Sequence, residues 1–217
     1  MKNPLRKRIP RELKGELGKY LVVFLLMVLT IGFVSGFLVA GKSMIATYDE
    51  SFDKYNIENG NFEYKDEASS EAKRAIEDEG VKLYENYYYE KIVEKDGDES
   101  TLRIFKNRTD VDKVCLMKGA FPTAEDEIAI DRMYAENNGI AIGDKFDVDG
   151  KKFTVSGVAA FSNYSALFKN NTDMMFDANK FTVAMVTKKG FERFSDDELH
   201  YCYAYRWNYR GYSEQKA

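Results

Sequence analysis

An α+β extracytoplasmic domain carried behind one N-terminal transmembrane α-helix is the architecture that the 217-residue sequence specifies. Three features lead to it. The run YLVVFLLMVLTIGFVSGFLVAG, Tyr20 to Gly41, contains no charged residue and is bounded by Lys19 and Lys42. As a helix rising 1.5 Å per residue it is roughly 33 Å long, against about 30 Å for a bilayer's hydrocarbon core. Past Lys42 the chain mixes short alternating segments with short helical ones and lacks a βαβ rhythm, which favours α+β over a doubly wound sheet. Charge, finally, is divided unequally. Residues 1–19 carry seven basic side chains against two acidic ones, a surplus of +5; with a total of −4, the remainder carries −9.

The apolar run is too long for a signal-peptide core of roughly 7 to 15 residues, and no good A-x-A cleavage site follows it. By the positive-inside rule the N-terminus is cytoplasmic and residues 42–217 are extracytoplasmic, in a plasma membrane. Within the span Gly32 and Gly36 form GxxxG, and Ala40 continues that face, the small-residue spacing that lets helices approach in lipid. Chance spacing is the plainer alternative. Ahead of the span Ile9, Leu13 and Leu17 recur every four residues among basic side chains, with Pro10 at a helix start. This reads as an amphipathic helix on the inner leaflet, or as a flank that only sets topology.

Beyond the membrane, Ser43 to Tyr55 continues as helix until Gly60 breaks it, and Asn61 to Lys65 alternates as a strand. Ser69 to Glu79 contains good helix formers with Ala72, Ala75 and Ile76 on one face, and Gly80 ends it. Val81 to Glu94 is rich in Tyr, Val and Ile; with Asp96-Gly97 and the run Thr101 to Lys106 it makes a β-hairpin. After Val114 to Lys118 and a turn at 119–122 come strand Glu127 to Asp131 and a short helix, Arg132 to Asn138, closed by Gly139. Asp149-Gly150 centres a second hairpin, Phe181 to Thr187 is another strand, and Lys188 to Phe194 a short helix. The final alternating segment sets Leu199, Tyr201, Tyr203, Tyr205, Trp207 and Tyr209 on one face of a long strand. That aromatic face covers a core, forms a platform for carbohydrate or peptide, or meets another molecule.

Catalytic chemistry is missing from the pattern. His200 is the single histidine and lies inside the aromatic strand. No G-x-S-x-G, H-E-x-x-H or P-loop occurs, so no catalytic, cofactor-binding or metal-ligating residue is assigned. Asp147-Val148-Asp149-Gly150 begins like a calcium loop, but Ser156 stands where the bidentate Glu belongs, and the stretch reads as a turn. The acidic balance argues against nucleic acid as a partner. Cys115 and Cys202 both lie outside the membrane, where they pair as a disulfide or stay buried thiols. Asn107, Asn163 and Asn170 begin N-x-S/T triplets, which matter only where glycosylation machinery exists.

The order of these pieces resembles the start of an FtsX/MacB-like ABC transporter permease. Gly119-Ala120-Phe121-Pro122 with Glu127-Ile128-Ala129-Ile130 is similar to that family's G-x-x-P…E-I-x-I element. Gly139 to Asp144 is similar to its G-x-x-x-G-D turn, and Phe153 to Val158 to the following f-x-V-x-G-V strand. The resemblance covers nearly the whole chain, best over 10–45 and 115–190. It implies a MacB-like periplasmic core domain at 42–217, following a basic segment at 1–19 and a membrane helix at 20–41. It further implies no chemistry of the permease's own, a cytoplasmic ABC ATPase subunit and a second permease subunit as partners, and a domain that transmits ATP-driven motion or contacts peptide, antibiotic or lipid-linked cargo. The sequence departs from the family in having no second long apolar run after Gly41. Either it is the N-terminal portion of a longer permease or a single-span derivative. A single-pass sensor that binds a ligand on the Tyr201 to Tyr209 face is the alternative from a different class.

Overall fold

In the computed structural model residues 14–208 are described, apart from 96, 171, 196 and 197. The basic segment before residue 14, Asp96 of the first hairpin turn and Tyr209 of the aromatic face therefore lie outside the described residues. The chain divides into two compact units, 1–50 and 51–217.

The first unit contains most of helix α1, Leu17–Tyr55, which is 39 residues long and buries none of them. It is long and apolar enough to cross a membrane. Its stretch from Tyr20 to Gly41 is apolar all round, the pattern of a helix buried in a core or in lipid. Gly32, Gly36 and Ala40 repeat at four-residue spacing on one exposed face, and nothing lies within 4 Å of a Cβ built on either glycine.

Helix α1 ends at Tyr55, as the sequence reading has it, but the residue that stops it differs. Asn56, not Gly60, stops it: Asn56 takes a positive φ of 51°. The Ile57 amide then donates to the Phe52 carbonyl at 3.0 Å, the closing bond of a Schellman cap. Asparagine tolerates the left-handed region through local hydrogen bonding, and unlike glycine it carries a side chain for further use. Gly60 instead opens the first strand, because a Cβ there would meet the Tyr205 ring at 2.7–2.9 Å.

The second unit is a mixed ten-stranded sheet with short helices, of the α+β class. Its strands are β1 Gly60–Tyr64, β2 Val81–Glu85, β3 Tyr88–Lys95, β4 Asp98–Lys106, β5 Cys115–Gly119, β6 Glu127–Asp131, β7 Lys145–Val148, β8 Lys151–Ala160, β9 Phe181–Val186 and β10 Leu199–Trp207. Helices α2 Ser70–Glu77, α3 Arg132–Asn137 and α4 Lys188–Phe191 link them. The pairing order runs β1-β10-β3-β4-β9-β6-β8-β5, with β2 added on β10 and β7 on β8. The hairpins β3–β4 and β7–β8 form at the expected turns, where Asp149 and Gly150 both take positive φ as a type I′ turn requires. Ser69 caps α2 by accepting from the Ala72 amide.

Two features depart from a simple reading of the pattern. The run Val81 to Glu94 is two strands, because the chain bends at Asn86-Tyr87 between β2 and β3. Pairs β4–β9 and β6–β8 are parallel, inside a sheet otherwise paired antiparallel. Strand alternation splits the core into two layers on opposite faces. One gathers Tyr89, Ile104, Ile128, Ile130, Tyr134 and Phe153. The other gathers Tyr88, Phe105, Ala129, Phe161, Phe181 and Met185. Strand β9 is buried along its whole length and so contributes to both.

Candidate functional site

The four motif segments that carry the family resemblance meet around β5, β6 and β8. Gly119 has φ 78°, and a Cβ there would lie 2.3 Å from the Ser156 carbonyl oxygen. Gly157 is crowded too, its would-be Cβ 2.5 Å from the Ala120 carbonyl oxygen. Between them the Ala120 amide donates to the Ser156 carbonyl at 2.9 Å. The register slips beside this point in both neighbouring pairs, β5–β8 and β6–β8. Glu127 closes the Gly119–Pro122 turn by accepting from the Thr123 and Ala124 amides at 2.7 and 3.0 Å, and these bonds hold its carboxyl below the usual range. The Gly143 amide donates to the Val155 carbonyl at 2.8 Å, and the Val155 amide donates to the Asp144 carbonyl at 2.9 Å. These backbone bonds tie the 139–144 turn to β8, while the Asp144 side chain closes the turn internally, its Oδ2 accepting from the Ala141 amide at 2.8 Å. These motif residues are architectural: they lock three strands and two turns together.

The aromatic face of β10 is assembled with its neighbours. Tyr203 is fully buried; its ring stacks on Phe62 at 5.7 Å and meets Tyr87 edge-on at 5.4 Å. Its hydroxyl accepts from the Ala68 amide at 3.0 Å and bonds the Tyr87 hydroxyl at 2.7 Å. Tyr201 packs on Tyr87, and Tyr205 on Trp207. Trp207 is 54% exposed. The opposite face is buried as well: Cys202 and Ala204 lie in the core, and His200 stacks on Tyr88 while its Nδ1 bonds Glu63 at 2.7 Å. Cys202 and Cys115 are both free thiols, on β10 and β5 at different places in the sheet, and the pairing allowed by their even number is not made. Burial pushes the Cys202 thiol up to about 12.

Sequence reasoning missed the most polar place in the interior. Asp112 is fully buried where the α1–β1 link, the bend between β2 and β3 and the segment after β4 come together. It accepts from the Glu58 amide at 2.9 Å and from the Asn86 side-chain amide at 3.2 Å. The Arg108 guanidinium stands 3.9 Å away and donates to Asn86 Oδ1 and Asn163 Oδ1. The 110–113 loop also grips the helix end, where the Lys113 amide donates to the Tyr55 carbonyl at 2.8 Å and the Asp112 amide to the Asn56 carbonyl at 3.1 Å. Asn56 donates its side-chain amide to the Asp110 carbonyl and accepts from Arg206. Burial, with the Asp112 carboxylate beside it, pushes Glu58 up to about 8, and its Oε2 is buried without a hydrogen-bond partner. Burial likewise holds Arg108 below its ordinary value, although Asp112 opposes this. A signal for this cluster is present in hindsight: Asn107-Arg108-Thr109-Asp110-Val111-Asp112 is a polar segment punctuated by one apolar residue, in a place where a surface loop would need none.

Two cavities flank the cluster, and Asn86 lines both. One, of about 440 Å³, includes Glu58, Asn61, Tyr88, Arg103 and Asn163 in its wall. The other, of about 530 Å³, is bounded by Lys73, Tyr84, Tyr87, Lys106 and Arg108. Both are of the size that takes small ligands. Among the described residues no group of three or more His, Cys, Asp or Glu side chains is arranged to hold a metal ion.

No protein-family model matches the chain, and no curated protein matches its sequence. Three solved structures are similar to it. The extracellular domain of the noncanonic ABC-type transporter YknZ from Gram-positive bacteria is 15% identical, with a TM-score of 0.42 over 70% of this chain and 85% of that one. The periplasmic region of MacB from Actinobacillus actinomycetemcomitans is 11% identical, with a TM-score of 0.38 over 62% of this chain and 60% of that one. A domain of a permease-type protein from Porphyromonas gingivalis is 15% identical, with a TM-score of 0.35 over 64% and 68%.

Proposed function

We propose that this chain is a permease subunit, or the N-terminal portion of one, of an FtsX/MacB-like ABC transporter. In this reading the N-terminus is cytoplasmic, α1 crosses the plasma membrane, and the domain beyond it transmits ATP-driven motion or contacts cargo. The observation that carries the reading is the interlocking of the 119–122, 127–130, 139–144 and 153–158 segments. Motifs chosen by sequence order alone, between Gly119 and Val158, meet one another: the Ala120 amide bonds Ser156, Gly143 and Asp144 bond Val155, and Glu127–Ile130 pair with β8. The apolar helix ahead of the domain supplies the matching membrane element.

The direct test is an immunoblot of native membranes with an antibody against residues 47–217. A band several times heavier than 25.0 kDa, with an ABC ATPase recovered in the same immunoprecipitate, is the expected result. A band at the mass of this chain, with no ATPase recovered, would remove transport from it. The single-pass binding protein would then take its place, a reading favoured by the cavity of about 440 Å³ with its amide-rich wall.

A further inference from the structure

The connection from β8 to β9, residues 161–180, runs without regular secondary structure inside an otherwise tightly linked domain. Connections this long usually either carry function or lack order. Here the segment has a buried base: Phe161, Leu167 and Ala178 belong to the core. Its tip does the reverse. Met174 is 96% exposed and Met175 86%, followed by half-exposed Phe176. Phe176 meets Phe168 edge-on at 5.7 Å. Beneath them lies a cavity of about 390 Å³ whose wall includes Leu167, Phe181, Ile92, Met175 and Phe176. Ile92, on the neighbouring β3, is 59% exposed. Met175 in the cavity wall and exposed Met174 next to it form an adaptable surface, because the unbranched thioether side chain repacks at little cost. Leaving them in water lacks a folding rationale, and exposed apolar patches rimmed by polar groups mark interaction sites.

The rim decides what fits. Glu99, Asp173 and Asp177 line the same cavity and have no cationic partner among the described residues. Lys169 and Lys180 line the cavity too, but each faces a further carboxylate, Lys169 2.9 Å from Glu90 and Lys180 3.8 Å from Asp98. The rim therefore carries an excess of negative charge around an apolar centre, its three carboxylates set against two lysines that each face another carboxylate.

We propose that this methionine-rich mouth docks a cationic, apolar polypeptide segment of a partner protein, with an aliphatic side chain in the cavity and basic residues over Glu99, Asp173 and Asp177. The assignment stands independently of the permease reading. Complementary charge would speed and orient the encounter, and the apolar anchor would hold it.

The test uses the full chain in phosphatidylcholine nanodiscs and two short fluorescent amphipathic peptides of equal length, one of leucine and lysine, the other of leucine and glutamate. Empty nanodiscs give the baseline for fluorescence anisotropy. The Leu/Lys peptide should bind, at least about tenfold more tightly than the Leu/Glu peptide. Met174→Ser with Met175→Ser should weaken it about tenfold, and Glu99→Gln with Asp177→Asn should weaken it and flatten its salt dependence. Because both methionines are exposed, the serine variant keeps the fold, which an unchanged thermal midpoint verifies. Equal binding of the two peptides, or undiminished binding by the methionine variant, overturns the proposal. So does concentration-dependent dimerisation in sedimentation that the methionine variant abolishes, since the occupant would then be a second copy of this chain.

Discussion

Glu58 sits where its charge is least welcome. The Asp112 carboxylate is beside it and one cation, Arg108, serves both. A carboxyl with a folded value near 8 binds a proton that the unfolded chain gives up near 4.5, so its contribution to stability is full below the lower value and is lost as pH rises through the upper one. Replacing Glu58 by Gln keeps the shape and removes the titration. The thermal midpoint of Glu58→Gln, compared with the parent from pH 5 to 9, should pull ahead as pH rises, by at least ~1 kcal/mol at the alkaline end. A constant difference across that range would mean that Glu58 is ionised in the fold. Taking the difference between the two proteins matters, because Glu90 and Asp149 are shifted the opposite way and lose their stabilisation in acid. Burial opposes ionisation of Glu90, but hydrogen bonds from Lys169 and Arg103 prevail; the Lys91 and Lys151 ammonium groups hold Asp149 low. None of this pairing could be read from the sequence. Glu58 and Asp112 are 54 positions apart, and an acidic residue in a loop reads as surface until the fold encloses it.

At the scale of elements, the strands and hairpins with regular alternation or an Asp-Gly turn are legible in the sequence, because their signals are local. The last helical residue, Tyr55, is legible but its cap is not, for a physical reason: Gly60 is the stronger breaker, but Asn56 can cap with its backbone and bond Asp110 and Arg206 with its side chain. Parallel pairing of β4 with β9 and of β6 with β8 leaves no local trace, since it depends on distant partners, Thr101 with Phe181 and Glu127 with Thr154. The element most exposed to mutation is the β5–β8 contact. Gly157→Ala forces a Cβ against the Ala120 carbonyl, and Gly119→Ala adds an unfavourable φ; each should cost ~2 kcal/mol or more, read as a lower thermal midpoint. In β10, Tyr203→Phe strands the Ala68 amide and the Tyr87 hydroxyl and should cost ~1–2 kcal/mol. The face of α1 that carries Gly32, Gly36 and Ala40 makes a different kind of prediction. Gly32→Leu with Gly36→Leu should leave the domain's melting unchanged while reducing co-purification of other membrane subunits. Undiminished recovery would take helix packing away from that face.

For the whole molecule, the charge division between the two ends sets an expected orientation. Asp98 lies 81% exposed at the tip of the β3–β4 hairpin. Asp98→Cys, in a Cys115→Ser background, should react with a membrane-impermeant maleimide in intact cells, whereas Lys2→Cys in the same background should react only after permeabilisation. The reverse pattern would invert the topology. The plan of the sheet has a temporal consequence as well. Both β1 and β2 pair only with β10, the final strand described, which also joins β3. During synthesis the first two strands must therefore wait, edges open, for a segment that follows every other described strand of the sheet. Closure that depends on the last-arriving strand is slow by nature, on the order of milliseconds to seconds for sheets built from distant pairings. In the proposed orientation, the strands made first stay incomplete on the far side of the membrane until Leu199–Trp207 has followed them across.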